Sequence, residues 1–161
     1  MPDVAAWAFE GRIYRQGILR CVDVPRRVAG ALDDWRYPQV VVSVGGRDRA
    51  TTLMRRGGGG FRLFLHDELR SAAGVGEGDR VLVELRVDDA PVDVLPDDIL
   101  EAAEHVEGGL VAVELLPPGL RREMMRFVGG AKSASVRAQR VARVVELIGE
   151  RAEKLRRTDD G

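Results

Sequence analysis

Apolar and polar positions partly alternate over residues 6–14, with Trp7, Phe9, Gly11 and Ile13 on one side, the pattern of a half-buried strand. Residues 18–24 read as a second strand, and Pro25 starts a short helix whose apolar face is Val28, Ala29 and Leu32. Residues 39–44, QVVVSV, form a β-branched run typical of a buried strand. Gly45-Gly46 then supplies the positive φ of a tight hairpin, and residues 47–54 return. The glycine run 57–60 leads into a strand over 61–65. A short helix follows, capped by Asp67 and closed by Gly74, and Gly78-Asp79 turns into the strand 80–87. Six short strands with glycine turns predict a small barrel.

Beyond residue 88 the period changes. Pro91 and Pro96 mark a linker, and Asp97 and Asp98 sit where acidic residues favour a helix start, with Ile99, Leu100, Ala103 and Val106 continuing it to Gly108-Gly109. Residues 110–116 are open between strand and helix: Val111, Val113 and Leu115 alternate, but length and flanks suit a short helix. Residues 119–128 read as helical. A final helix over 133–157 is predicted by Ala134, Ala138, Val141, Val145, Ile148, Ala152 and Leu155, which recur in steps of four and three. Arg140, Arg143, Arg151, Lys154 and Arg157 fall on another face, with Val136, Val144 and Leu147 near that basic arc. The expected fold class is α+β, a small six-stranded β-barrel with short helices over residues 1–90 followed by a helical region over 91–161.

Charge divides the chain in the same way. Residues 117–157 hold eleven Lys or Arg against four Glu, whereas the whole chain carries a net charge of −1. With 45% apolar and 32% charged residues, the composition is that of a soluble globular protein. No apolar run approaches the roughly 18 residues of a bilayer span, and MPDVAAWAFEGRIY lacks the regions of a secretory signal, so the expected location is the cytoplasm. Cys21 is the only cysteine, which excludes an internal disulfide. Aromatics amount to 5%, few for a stacking platform on single-stranded nucleic acid.

The segment LLPPGLRREMMRFVGGAKSASVRAQRVARVVELI resembles the C-terminal signature of the bacteriocin-protection, YdeI/OmpD-associated family. The matching positions are Pro117, Arg121, Arg122, Glu123, Phe127, Ala131, Lys132, Arg137, Arg140 and Val141. Upstream, VDVPRRVAGAL, VVVSVGG, HDELRSAAGVGEGDRVLVEL and VDVLPDDILEA resemble the β-barrel domain of unknown function often fused in front of that signature. Phe127 stands where that family more often has Trp, Val136 where it more often has Thr, and Gly129-Gly130 interrupts a helical turn usually unbroken there. The resemblance implies a barrel followed by helices and a loose role in protection against antimicrobial peptides, with no reaction attached. The GVGEGD turn is similar to the strand-entry turn of cradle-loop barrels.

No catalytic set stands out. The run Gly57 to Gly60 lacks the Gly-Lys-Ser/Thr ending of a phosphate loop, and Gly74, Gly76 and Gly78 follow a helix where a dinucleotide fingerprint must follow a strand. His66, His105 and Cys21 have no metal-ligand spacing, so no metal or cofactor is expected. Asp88-Asp89 and Asp97-Asp98 suit linker and cap roles, and Ser43 and Ser71 lie in no nucleophile motif. The functional pull is in Arg121, Arg122, Lys132, Arg137 and Arg140, whose guanidinium and ammonium groups suit phosphate or carboxylate.

The reading is a non-enzymatic binding or stress-protection protein with an anion site between barrel and Arg-rich helices. Its partner would be a small anionic ligand or peptide. Nucleic-acid binding by the basic helices and an enzyme on a small anionic substrate are the alternatives.

Overall fold

A computed structural model describes residues 6–56 and 58–160. Residues 1–5, Gly57 at the head of the glycine run, and Gly161 lie outside the described residues. The chain divides into two compact units, Met1–Pro91 and Val92–Gly161. The class is α+β, strand-rich first and helical second.

Among the described residues of the first unit the six expected strand regions appear as eight strands, because two of them break. The first is divided at Ile13 into β1 (Ala6–Arg12) and β2 (Tyr14–Gln16), and the fourth at Leu53 into β5 (Arg47–Thr52) and β6 (Met54–Arg55). The others are β3 (Leu19–Asp23), β4 (Gln39–Val44), β7 (Phe61–Phe64) and β8 (Arg80–Val87). Both breaks have a physical cause. The Ile13 amide donates to the Asp79 carbonyl and its carbonyl accepts from Gly78, each at 2.8 Å, while the Leu53 amide donates to Pro38 at 2.9 Å. With these groups satisfied outside the ladders, the chain crosses from one sheet to the other at two buried apolar residues.

The sheets run β1-β8-β4-β5 and β2-β3-β7-β6, and every pairing is antiparallel. The expected barrel thus takes the form of two four-stranded sheets around one core, with no closed ring of ladders among the described residues. Phe9, Val22, Val40, Val42, Leu53, Phe61, Leu63, Val83 and Leu85 belong to that core. The alternation in β1 is as expected, since Phe9 is buried between exposed Ala8 and Glu10. In β4 only Val40, Val42 and Val44 are buried, so this strand has one core face rather than two.

Pro25 stands just before helix α1 (Arg26–Ala31), and its carbonyl accepts from Val28 and Ala29. Helix α2 (Asp67–Ala73) begins at its expected cap residue rather than after it: His66 holds the cap position, while Asp67 and Glu68 lie in the first turn, where carboxylates suit the helix dipole. Its C-cap is Gly74 in the left-handed conformation. The turn between β4 and β5 uses Gly45 and Gly46 at φ 60° and 81°. A Cβ on Gly45 would lie 2.6–2.8 Å from backbone atoms of Ala72 and Ala73, so the hairpin tip sits directly on α2.

The second unit consists of α3 (Asp97–Glu104), α4 (Gly109–Glu114), α5 (Pro118–Gly129) and α6 (Ala134–Asp160). Residues 110–116 are mostly helical, burying Ala112, Val113 and Leu116. Helix α3 ends at Glu104, ahead of the expected glycine pair; Gly108 instead precedes α4. Gly109 is required by packing, since a Cβ there would lie 2.0 Å from the Ala103 carbonyl oxygen. Helices α3, α4 and α5 each contact α6. Its buried residues are Val144, Ile148 and Ala152. Val141, Val145 and Leu155 are half-buried, but Ala134 and Ala138 are exposed, so the packed stripe turns toward Val144 and omits the first two turns.

Candidate anion-binding site

The five basic residues singled out by the sequence all lie in the second unit, on α5, α6 and the turn between them. Pro117 and Pro118 fix the start of α5, where a missing N–H leaves no internal bond unmade. That start puts Arg121 one turn in, half-buried, with Nη2 donating to the Val113 carbonyl at 2.5 Å and Nε to the Leu116 carbonyl at 3.3 Å. Val113 lies in the last turn of α4 and Leu116 just beyond it, where the helix dipole favours a cation. Arg121 is therefore a helix cap.

Arg122 is exposed and donates to the Asp93 carboxylate at 3.0 Å. Arg137 presents its fork to Asp98, Nε to Oδ2 at 2.9 Å and Nη2 to Oδ1 at 3.2 Å. That pairing holds the Asp98 carboxyl below the usual carboxylate range, the Arg137 hydrogen bond being the main cause, and raises Arg137 in return. Arg140 donates to the Phe127 carbonyl at 2.8 Å and lies 5.0 Å from the centre of the Phe127 ring, a cation–π contact with a side chain that is 43% exposed. Lys132 is exposed in the turn. The four arginines thus engage five different residues within their own unit, and no shared partner draws them together. The arrangement suits recognition of carboxylates and carbonyls rather than bond making.

Elsewhere the candidate groups serve structure. His66 is buried with its ring 4.2 Å from that of Phe64, and His105 is the exposed cap at the end of α3. Burial pushes the Cys21 thiol up to about 12, which removes the thiolate a nucleophile needs. Ser43 donates to Asp48, its partner across the hairpin. Asp88 accepts from the Ala90 amide at 3.1 Å as a linker turn, and Asp97 and Asp98 occupy the first turn of α3. Among the described residues no group of three or more His, Cys, Asp or Glu is placed to hold a metal ion, and no helix is long and apolar enough to cross a membrane.

Two depressions were not evident from the sequence. One, of about 310 Å³, lies on the first sheet beside Trp7, Ser43, Glu84 and Arg86. The other, of about 210 Å³, lies between α4 and the C-terminal half of α6, where Arg151 and Lys154 overlook Ala112, Leu115 and Leu155. The signal for the second was the basic arc itself. Its apolar floor depends on α4, the segment whose class the pattern left open.

A comparison with curated proteins gives no match. Residues 7–85, within the strand-rich unit, match a family model described as a domain of unknown function, DUF1905.

Proposed function

We propose that the protein is a non-enzymatic binding protein whose helical unit recognises an anionic ligand or peptide through Arg121, Arg122, Lys132, Arg137 and Arg140. The supporting observation is the two-pronged hold of Arg137 on Asp98 at a partly exposed position. A carboxylate is already recognised there, and an incoming anion would exchange with it rather than build a new site. Arg122 and Lys132 are exposed alongside it in the sequence motif, while Arg121 caps the end of α4 and Arg140 binds the Phe127 carbonyl near the end of α5. The finer reading, a stress-protection role like that of the bacteriocin-protection YdeI/OmpD-associated family, rests on the motif residues of the helical unit; the DUF1905 match covers only the strand-rich one.

The test is calorimetric titration of the full chain with citrate and with pyrophosphate at low salt. Saturable binding that is lost in a variant carrying Arg122→Gln, Lys132→Gln and Arg137→Gln supports the proposal; no binding, or binding unchanged in that variant, removes it. A parallel titration with duplex DNA addresses the phosphate-backbone alternative, for which affinity must fall steeply with salt.

A further inference from the structure

On α6 the cations are not equally neutralised. Arg143 pairs with Glu146 at 3.2 Å and Arg157 with Glu153 at 2.6 Å. Arg151 and Lys154, three residues apart and therefore neighbours on the helix surface, have no ion-pair partner among the described residues. Like charges at that spacing repel. They stand over the cleft between α4 and α6, whose floor includes Ala112, Leu155 and Leu115, the last 37% exposed. Thr158 completes the rim, its hydroxyl donating to the Lys154 carbonyl at 3.1 Å and so leaving its oxygen to accept.

Two features therefore coincide, a pair of neighbouring cations with no ion-pair partner among the described residues and solvent-exposed apolar surface, and one kind of molecule relieves both. We infer that this cleft is a binding site for a small amphipathic monoanion, a carboxylate with a short aliphatic body. The carboxylate would bridge the Arg151 guanidinium and the Lys154 ammonium, and the chain would cover Leu115 and Leu155. Size selects the class. The cleft of about 210 Å³ corresponds to about seven waters at roughly 30 Å³ each, room for a short chain and too little for a drug-sized ligand or a folded partner. Neither cation belongs to the α5–α6 set proposed above, so this site is independent of that one.

Octanoate is the probe, titrated into the full chain and followed by amide chemical shifts, with octanol as the uncharged control. Saturable shifts in residues 112–115 and 151–158, much weaker with octanol, are expected. Arg151→Gln with Lys154→Gln should weaken octanoate by on the order of tenfold or more with an unchanged circular dichroism spectrum. Arg143→Gln, elsewhere on the same helix, should leave it unchanged, as should the Arg122, Lys132 and Arg137 triple variant. No saturable octanoate binding, equal binding of octanol, or equal weakening by Arg143→Gln would overturn the assignment.

Discussion

Arg137, in the first turn of α6, and Asp98, in the first turn of α3, are joined by two hydrogen bonds of 2.9 and 3.2 Å. The contact links residues at the starts of two helices that also pack together, and it sets how the acid side of the stability curve should behave.

Because the Asp98 carboxyl is held below its ordinary value, first by the Arg137 hydrogen bond, the stabilisation is fully present above the unfolded-state value of about 3.9. It is lost as pH falls through the lower folded value. Both side chains are partly exposed, so the effect at neutral pH is small. In Arg137→Gln the Asp98 carboxyl, followed by carbon-detected NMR titration, should return toward the ordinary range. Identical titrations in the two proteins would mean that the pair carries no weight in solution.

Gly45 and Gly46 separate backbone freedom from packing. Both have positive φ, but only Gly45 faces the backbone of α2. Gly46→Ala should cost about 1 kcal/mol, and Gly45→Ala roughly 2–4 kcal/mol because the clash adds to the strain. Urea midpoints of the two variants check the order.

Cys21 should resist a thiol reagent at pH 8 until the strand-rich unit opens. Its folded thiol is pushed up to about 12, mainly by burial. The unfolded thiol lies near about 8.5, so this contribution is present below that pH and is lost as pH rises toward the folded value. Cys21→Ser should cost about 1–3 kcal/mol through the buried hydroxyl. Rapid labelling of the native protein would contradict the burial.

Along α6, Ile148→Ala should cost about 2–5 kcal/mol, since that side chain is fully buried. Ala138→Ser, in the same sequence stripe but exposed, should change stability by less than about 0.5 kcal/mol. Thermal melts of the two variants distinguish the packed part of the helix from the solvated part.

These contrasts also mark what sequence reading reaches. Period-two and period-3.6 patterns locate the strand regions and the last helix because each depends on its own residues. The breaks at Ile13 and Leu53 were hidden because their cause lies in Gly78, Asp79 and Pro38, remote in sequence. The inward face of α6 shifted to Val144 because α3, α4 and α5, not the helix, decide which column is covered. The arginines were legible as a charge excess. Their partners, a carbonyl of Val113 or a carboxylate of Asp93, were not, since a long side chain reaches groups that no local spacing specifies.

The pairing of β1 with β8 has a consequence for biosynthesis. Ala6 faces Arg86 and Arg12 faces Arg80, so β1 must wait for β8 to leave the ribosome. Until then the N-terminal strand has an unsatisfied edge, and its pairing is the slow, high-separation kind. A stalled or truncated chain ending before residue 80 lacks β8, so it should be a substrate for chaperones rather than a half-built domain.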